Sequence, residues 1–318
     1  VKQACWFGCT LVAAAILAGC GGSEQPGGQS PSPPDEKPKV IGTSLLTQTH
    51  VFYQDMVSAM HEEAGKEGFK LRIQYAEFDS RKQNDQVEMF VTQGVDAIIL
   101  APVDSAGVTP VVAEARKAGI PVFTVDIAAH GADVVAHVAS DNYTGGEILG
   151  EYLAKLMDGK ATVAIIDHPS VESVQQRTAG FVKALENYHD MNIVQRVPGE
   201  GQRDKAFKVA QDLLQASPDV DAVFGINDDS ALGALAAVEE AGLQDKIIIV
   251  GFDGTPEALD AIVRGTALKA DTAQFPKDIG RMTIETIARY FRGEEVPAEV
   301  PVKVEIFDQA RLQAERDG

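Results

Sequence analysis

Residues 247–256 read Ile-Ile-Ile-Val-Gly-Phe-Asp-Gly-Thr-Pro. Four apolar β-branched residues in a row, 247–250, suit a strand covered on both faces of a parallel sheet. Gly251 and Gly254 bracket an expected turn. Thr255-Pro256 is a helix-start signal, an N-cap residue followed by proline at the first helical position. Asp253 is therefore expected just past the carboxyl end of a central strand, where open α/β sheets bind ligands. Aspartate is also a common turn residue, so on this stretch alone a local role for Asp253 stands beside a ligand-binding one.

Outward from this stretch, strand and helix alternate with short connections. Residues 40–46 read as a strand and 52–67 as a helix with Phe52, Met56 and Met60 on one stripe. Phe52 and Tyr53 are adjacent at the helix start and point in different directions, so at least one is expected at a cleft. Strands follow at 71–75, 95–100 and 120–125, with helices at 82–93 and 108–118. Asp126 closes the last of these strands as Asp253 closes its own. After a strand at 134–139, a second run begins with a helix at 143–157, whose Gly145-Gly146 allows close packing at its start. Strands at 162–166, 192–197 and 222–226 alternate with helices at 174–187, 204–215 and 231–241, and Asn227-Asp228-Asp229 puts polar groups at another strand end. A strand at 268–272, a helix at 278–291 and a strand at 302–307 complete the pattern. It predicts an α/β fold with two doubly wound parallel-sheet lobes. Crossings at Asp141 and Thr272 assign residues 39–140 plus 274–301 to one lobe and 141–273 plus 302–318 to the other, joined by a three-strand hinge.

Composition narrows the function. The 318 residues suffice for two domains. A formal net charge of -19 repels nucleic-acid phosphate, so no nucleic-acid partner is expected. The cysteines are Cys5, Cys9 and Cys20, which leaves the folded body without a disulfide, a thiol nucleophile or a cysteine metal site. No HExxH pair, calcium loop, GxSxG elbow or GxGxxG after the first strand is present. No metal or cofactor is expected. At the N-terminus, Lys2 precedes a short apolar segment, 9–18, too short to span a membrane as a helix. Leu17-Ala18-Gly19-Cys20 resembles a bacterial lipobox, which implies cleavage before Cys20 and lipid on its sulfur. Residues 1–19 thus read as a lipoprotein signal peptide. Residues 20–38, rich in Gly, Ser, Pro and Gln, read as the lipidated cysteine and a flexible tether. The protein is expected in the periplasm or cell envelope, lipid-anchored to a bacterial membrane.

Several motifs carry a resemblance. They are Val135-Ala136-His137-Val138-Ala139-Ser140-Asp141-Asn142 with Gly145-Gly146, Asn227-Asp228 with Ala231-Leu232-Gly233-Ala234-Leu235, Val250 to Pro256, Ala273-Gln274-Phe275-Pro276 and Ile279-Gly280. In this order they resemble the type I periplasmic sugar-binding proteins, the substrate-binding components of bacterial ABC importers for ribose-like sugars. The resemblance covers 39–304. It implies two lobes closing on a sugar, with ligand contacts at Phe52, Tyr53, Asp126, Arg177, Asn227, Asp253 and Gln274. His50 falls at a further contact position, usually asparagine in ribose binders.

Those residue types suit hydroxyl groups, which both donate and accept: a carboxylate accepts while arginine, asparagine or glutamine completes the network. The chain departs from the ribose pattern where Ile127 replaces an arginine, Gly201 an aromatic residue and Leu46 a serine. A deoxy sugar, polyol or inositol is as consistent as ribose. The expectation is a non-enzymatic monomer that binds a sugar or polyol and presents it to an ABC permease. The alternatives are a sensory receptor serving a chemotaxis or kinase partner, a repressor's ligand-sensing domain, disfavoured by the lipobox where a DNA-binding helix-turn-helix would lie, and a secreted glycoside-acting enzyme using Asp126 and Asp253 as an acid/base pair.

Overall fold

The computed structural model describes residues 37–317. The expected signal peptide, Cys20 and the tether up to residue 36 lie outside the described residues. The first run comprises β1 (Val40–Leu45), α1 (Val51–Lys66), β2 (Lys70–Tyr75), α2 (Ser80–Gln93), β3 (Ala97–Leu100), α3 (Thr109–Lys117), β4 (Val122–Val125) and β5 (Ala136–Ser140). The second comprises α4 (Asn142–Leu156), β6 (Lys160–Asp167), α5 (Glu172–Leu185), β7 (Asp190–Pro198), α6 (Arg203–Ala216), β8 (Ala222–Gly225), α7 (Asp228–Glu240), β9 (Ile248–Asp253), α8 (Pro256–Val263) and β10 (Leu268–Ala273). The closing elements are α9 (Pro276–Phe291), β11 (Glu299–Val302), β12 (Glu305–Asp308) and α10 (Gln309–Asp317).

Two six-stranded sheets result, ordered β2-β1-β3-β4-β5-β11 and β7-β6-β8-β9-β10-β12. Each has the doubly wound order in which the strand sequence reverses beside its first strand. The chain passes between the sheets three times: after β5, after β10 and between β11 and β12. Every neighbouring pair is parallel except β10 with β12, where Thr272 faces Ile306 in an antiparallel ladder. Two expectations are corrected here. The single closing strand at 302–307 is two strands, because one segment cannot hydrogen-bond to β5 in one sheet and β10 in the other. The second sheet is consequently mixed.

The local signals explain most boundaries. Asp79 accepts from the amides of Arg81 and Lys82 to start α2, and Gly94, at φ 61°, ends it. Thr255 caps α8 with Pro256 in its first turn. The expected turn after Val250 is corrected: β9 continues through Gly251, which pairs with Asp271, and ends on Asp253 itself. Asp228 and Asp229 likewise stand in the first turn of α7, since Asn227 is its N-cap. Helix α10 had no sequence signal; it is polar and carries no apolar stripe.

Glycines set the closest helix contacts. A Cβ at Gly146 would collide with the carbonyl oxygen of Arg177, and one at Gly180 with that of Tyr143. Helices α4 and α5 therefore meet backbone to backbone, and Arg177 is held at a fixed height beside the second sheet.

Candidate ligand-binding site

The carboxyl ends of both sheets open onto one cavity. His50, Phe52, Tyr53 and Asp126 line it from the first sheet's side. Arg177, Asn227, Asp253 and Gln274 line it from the second. All of the candidate residues read from the sequence are thus brought together, across a separation of more than 220 positions in the chain.

Asp253 does not hold its own turn. The amide of Gly254 donates to Asp271 Oδ1 at 2.8 Å, and that of Thr255 to Asp228 Oδ2 at 2.6 Å. Two other aspartates thus do the work that the local reading gave to Asp253. Its carboxylate faces the cavity instead. Oδ1 accepts from Gln274 Nε2 at 2.6 Å and lies 3.5 Å from Arg177 Nη1. Oδ2 lies 3.6 Å from His50 Nε2. Burial pushes the Asp253 carboxyl up, while Arg177 and His50 pull it back.

Asp228 and Asp271 are themselves buried against one another. Burial pushes Asp228 well above the usual carboxylate range, with Asp271 adding to the rise, and burial pushes Asp271 up to about 6. Asp228 Oδ1 and Asp271 Oδ2 have no other partner and both lie beside the bare Cα of Gly251. One proton held between the two carboxyls satisfies both oxygens. Gly251 is needed there because a side chain would occupy that space.

Arg177 is fixed on four sides. Its Nε donates to Asn142 Oδ1 at 2.7 Å and its Nη1 to the Ile226 carbonyl at 3.0 Å. The guanidinium stands 4.0 Å from the Phe252 ring centroid, and Asp253 completes the set. Nη2 makes none of these bonds.

On the opposite wall, Tyr53 Oη donates to Asp126 Oδ2 at 2.6 Å. Burial raises the Asp126 carboxyl to about 6, against the lowering effects of Arg177 and of the Tyr53 bond. Burial and Asp126 together push the Tyr53 phenol well above its ordinary value. Phe52 and Tyr53 meet edge to face, with centroids 5.3 Å apart, and both reach the cavity. Two residues combine capping with exposure to the cavity. His50 caps α1, its Nδ1 accepting from the Phe52 amide at 3.2 Å. Asn227 caps α7 through the Ser230 amide and donates to the Gly201 carbonyl at 3.2 Å.

Sequence reasoning missed part of the lining. Phe78 and His168 follow β2 and β6, so the strand-end rule that found Asp126 applies to them as well. Val171 and Val174 precede Arg177 at spacings of three, which places all of them on one face at the start of α5. Ile226 comes from the end of β8, and Leu46 and Ile127, noted as departures from the ribose pattern, also line the cavity. The lining mixes polar and apolar side chains, as small-molecule sites do. Among the described residues no cluster of His, Cys, Asp and Glu is placed to hold a metal.

Two doubly wound lobes with a cavity between the carboxyl ends of their strands define a class, the type I solute-binding proteins. A family model described as a periplasmic binding protein domain matches residues 41–295, and the chain belongs to that family. It is 36% identical over 267 residues to the ribose import binding protein of Escherichia coli K12, covering 84% of this chain and 89% of that one. It is 32% identical to the D-ribose/D-allose-binding protein of Pseudomonas aeruginosa, covering 89% and 91%. A solved ABC transporter solute-binding protein from Bacillus halodurans, with bound myo-inositol, superposes with a TM-score of 0.82 at 30% identity, covering 89% of this chain and 99% of that one.

Proposed function

We propose that this chain is the receptor of a bacterial ABC importer, binding a sugar or sugar-like polyol between its lobes and delivering it to the permease. It works without turnover, as a monomer in the cell envelope, held to the membrane by lipid on Cys20. The observation that carries the reading is the convergence of Asp126, Arg177, Asp253 and Gln274, all nearly fully buried, on one cavity lined by both lobes. Carboxylates accept from ligand hydroxyls, while Arg177 and Asn227 donate to them. Charge-assisted bonds contribute about 1.5–3 kcal/mol each, and three or four of them with aromatic contact reach the roughly -8 kcal/mol of micromolar binding. The lobes would comprise 39–140 plus 274–301 and 141–273 plus 302–318. Opening and closing about the three crossings would admit the ligand and signal its presence.

The test is a thermal-shift and calorimetric screen of the full-length protein against pentoses, hexoses, deoxy sugars, polyols and inositols, with amino acids and nucleosides as controls. A ligand of the native state raises the melting temperature by mass action. A shift with a sugar or polyol, lost in Arg177→Ala and Asp253→Ala, is expected. A shift with an amino acid or nucleoside alone would overturn the reading.

A further inference from the structure

The cavity holds more acceptors, and more negative charge, than the protein's own groups satisfy. Asp126 is 5% exposed, and its one side-chain partner among the described residues is the Tyr53 hydroxyl on Oδ2. The basic side chains nearby lie against Asp253 instead: Arg177 Nη1 at 3.5 Å and His50 Nε2 at 3.6 Å. Ile127, beside Asp126, is buried and brings no charge. Because the Tyr53 proton lies on Asp126, the phenol oxygen is itself left as an acceptor. Gln274 adds another. Its Nε2 is fixed on Asp253, which leaves Oε1 buried with no partner. Asp126 and Asp253, both nearly fully buried, thus have one guanidinium between them, and it lies against Asp253.

We propose that the preferred ligand is a cationic sugar-like molecule, an amino sugar or aminocyclitol, whose ammonium group lies against Asp126. This rests on the receptor reading above and specifies its ligand class. A buried carboxylate is stable when paired, and an ammonium supplies that pair. It also brings three donors and no acceptor, whereas a hydroxyl brings one donor and further lone pairs. Asp126 Oδ1 and the Tyr53 oxygen offer acceptors on one wall, and the rings of Phe52 and Tyr53 favour a cation near their faces. Arg177 Nη2 remains for hydroxyls of the same ligand.

The pairing has a pH signature. The groups acting on Asp126 are Tyr53, Arg177, Asp253 and His50, and burial among them holds its carboxyl at about 6. A bound cation favours the ionised carboxylate. Affinity for an amine therefore falls as pH drops through 6, and falls again as pH rises through the amine's own pKa. A neutral sugar has no second limb.

The experiment is titration calorimetry of the full-length protein at pH 7.5 with matched pairs: glucose and glucosamine, galactose and galactosamine, scyllo-inositol and scyllo-inosamine. At least one amine should bind tenfold or more tightly than its hydroxyl counterpart. That preference should vanish in Asp126→Asn, which keeps the shape and the Tyr53 contact, and on N-acetylation of the ligand, which needs no variant. Hydroxyl compounds that bind as well as or better than every amine overturn this proposal and leave the receptor reading standing. So does an amine preference that survives both Asp126→Asn and N-acetylation. Silence from all compounds and from the wider sugar panel overturns both.

Discussion

Both carboxylates in the cavity sit at positive φ, 64° at Asp126 and 134° at Asp253. Such backbone costs about 1–3 kcal/mol per residue and persists where the surroundings over-determine it. At Asp253 the surroundings are the Asp228–Asp271 pair, which grips the next two amides. Folding holds a proton on this pair that an unfolded chain, with carboxyls near 4, would release. Asp271, raised to about 6, thus contributes stability that is complete below about pH 4 and fades as pH rises through 6. In Asp271→Asn the amide group supplies the bridging hydrogen without titrating. Thermal melts from pH 4.5 to 7.5 should show the native protein losing melting temperature relative to the variant as pH rises. Parallel profiles would count against the raised Asp271 carboxyl. Nothing at residue level marks Asp271 in the sequence: it lies in an ordinary strand, and its partner is 43 positions away. Asp253 was legible because it ends a strand, yet its freedom from the turn depends on that distant pair.

At the scale of elements, the placement of Arg177 depends on the contact between α4 and α5. Gly145-Gly146 predicts close packing, and the structure identifies Gly146 as the residue on which the Arg177 carbonyl rests. Gly146→Ala should force the helices apart, costing about 1–3 kcal/mol as overpacking does, and move the guanidinium off Asn142 and Asp253. Chemical denaturation and ligand titration check both effects. Stability within about 0.5 kcal/mol of native, the range of a neutral surface change, would show that the contact yields. The helix and its tight glycine pair were legible in the sequence. Its partner was not, because periodicity names a buried face without naming what covers it. The closing strand shows the same limit: 302–307 has a strand's composition, and only the competition between two sheets splits it.

For the whole molecule, the rims of the two lobes meet at Ser105. Helix α5 has no capping side chain at Val171. Its Glu172 amide donates instead to Ser105 Oγ of the opposite lobe at 2.9 Å, and the Ser105 amide donates to the Ser170 carbonyl at 3.3 Å. A cap supplied from across the cleft acts only when the lobes are together. Ser105→Ala should remove about 1 kcal/mol from the closed form alone, weakening ligand binding about fivefold without altering the cavity. Small-angle scattering should show a larger ligand-free radius of gyration for the variant, with ligand restoring the native value. An unchanged affinity and radius would place closure elsewhere.

The order of amino acids by itself determined the alternation of strand and helix, the two-lobed α/β class and the carboxylates at strand ends. Those features follow from period, capping and β-branched runs within about ten residues. Only the tertiary structure decided that Asp271 and Asp228 hold the turn beside Asp253, that strand-end residues from both sheets share one cavity with the start of α5, and that Asp126 faces it with no cation of its own. Each of these depends on which distant groups share a small, buried volume, where a missing partner costs more than any local preference supplies.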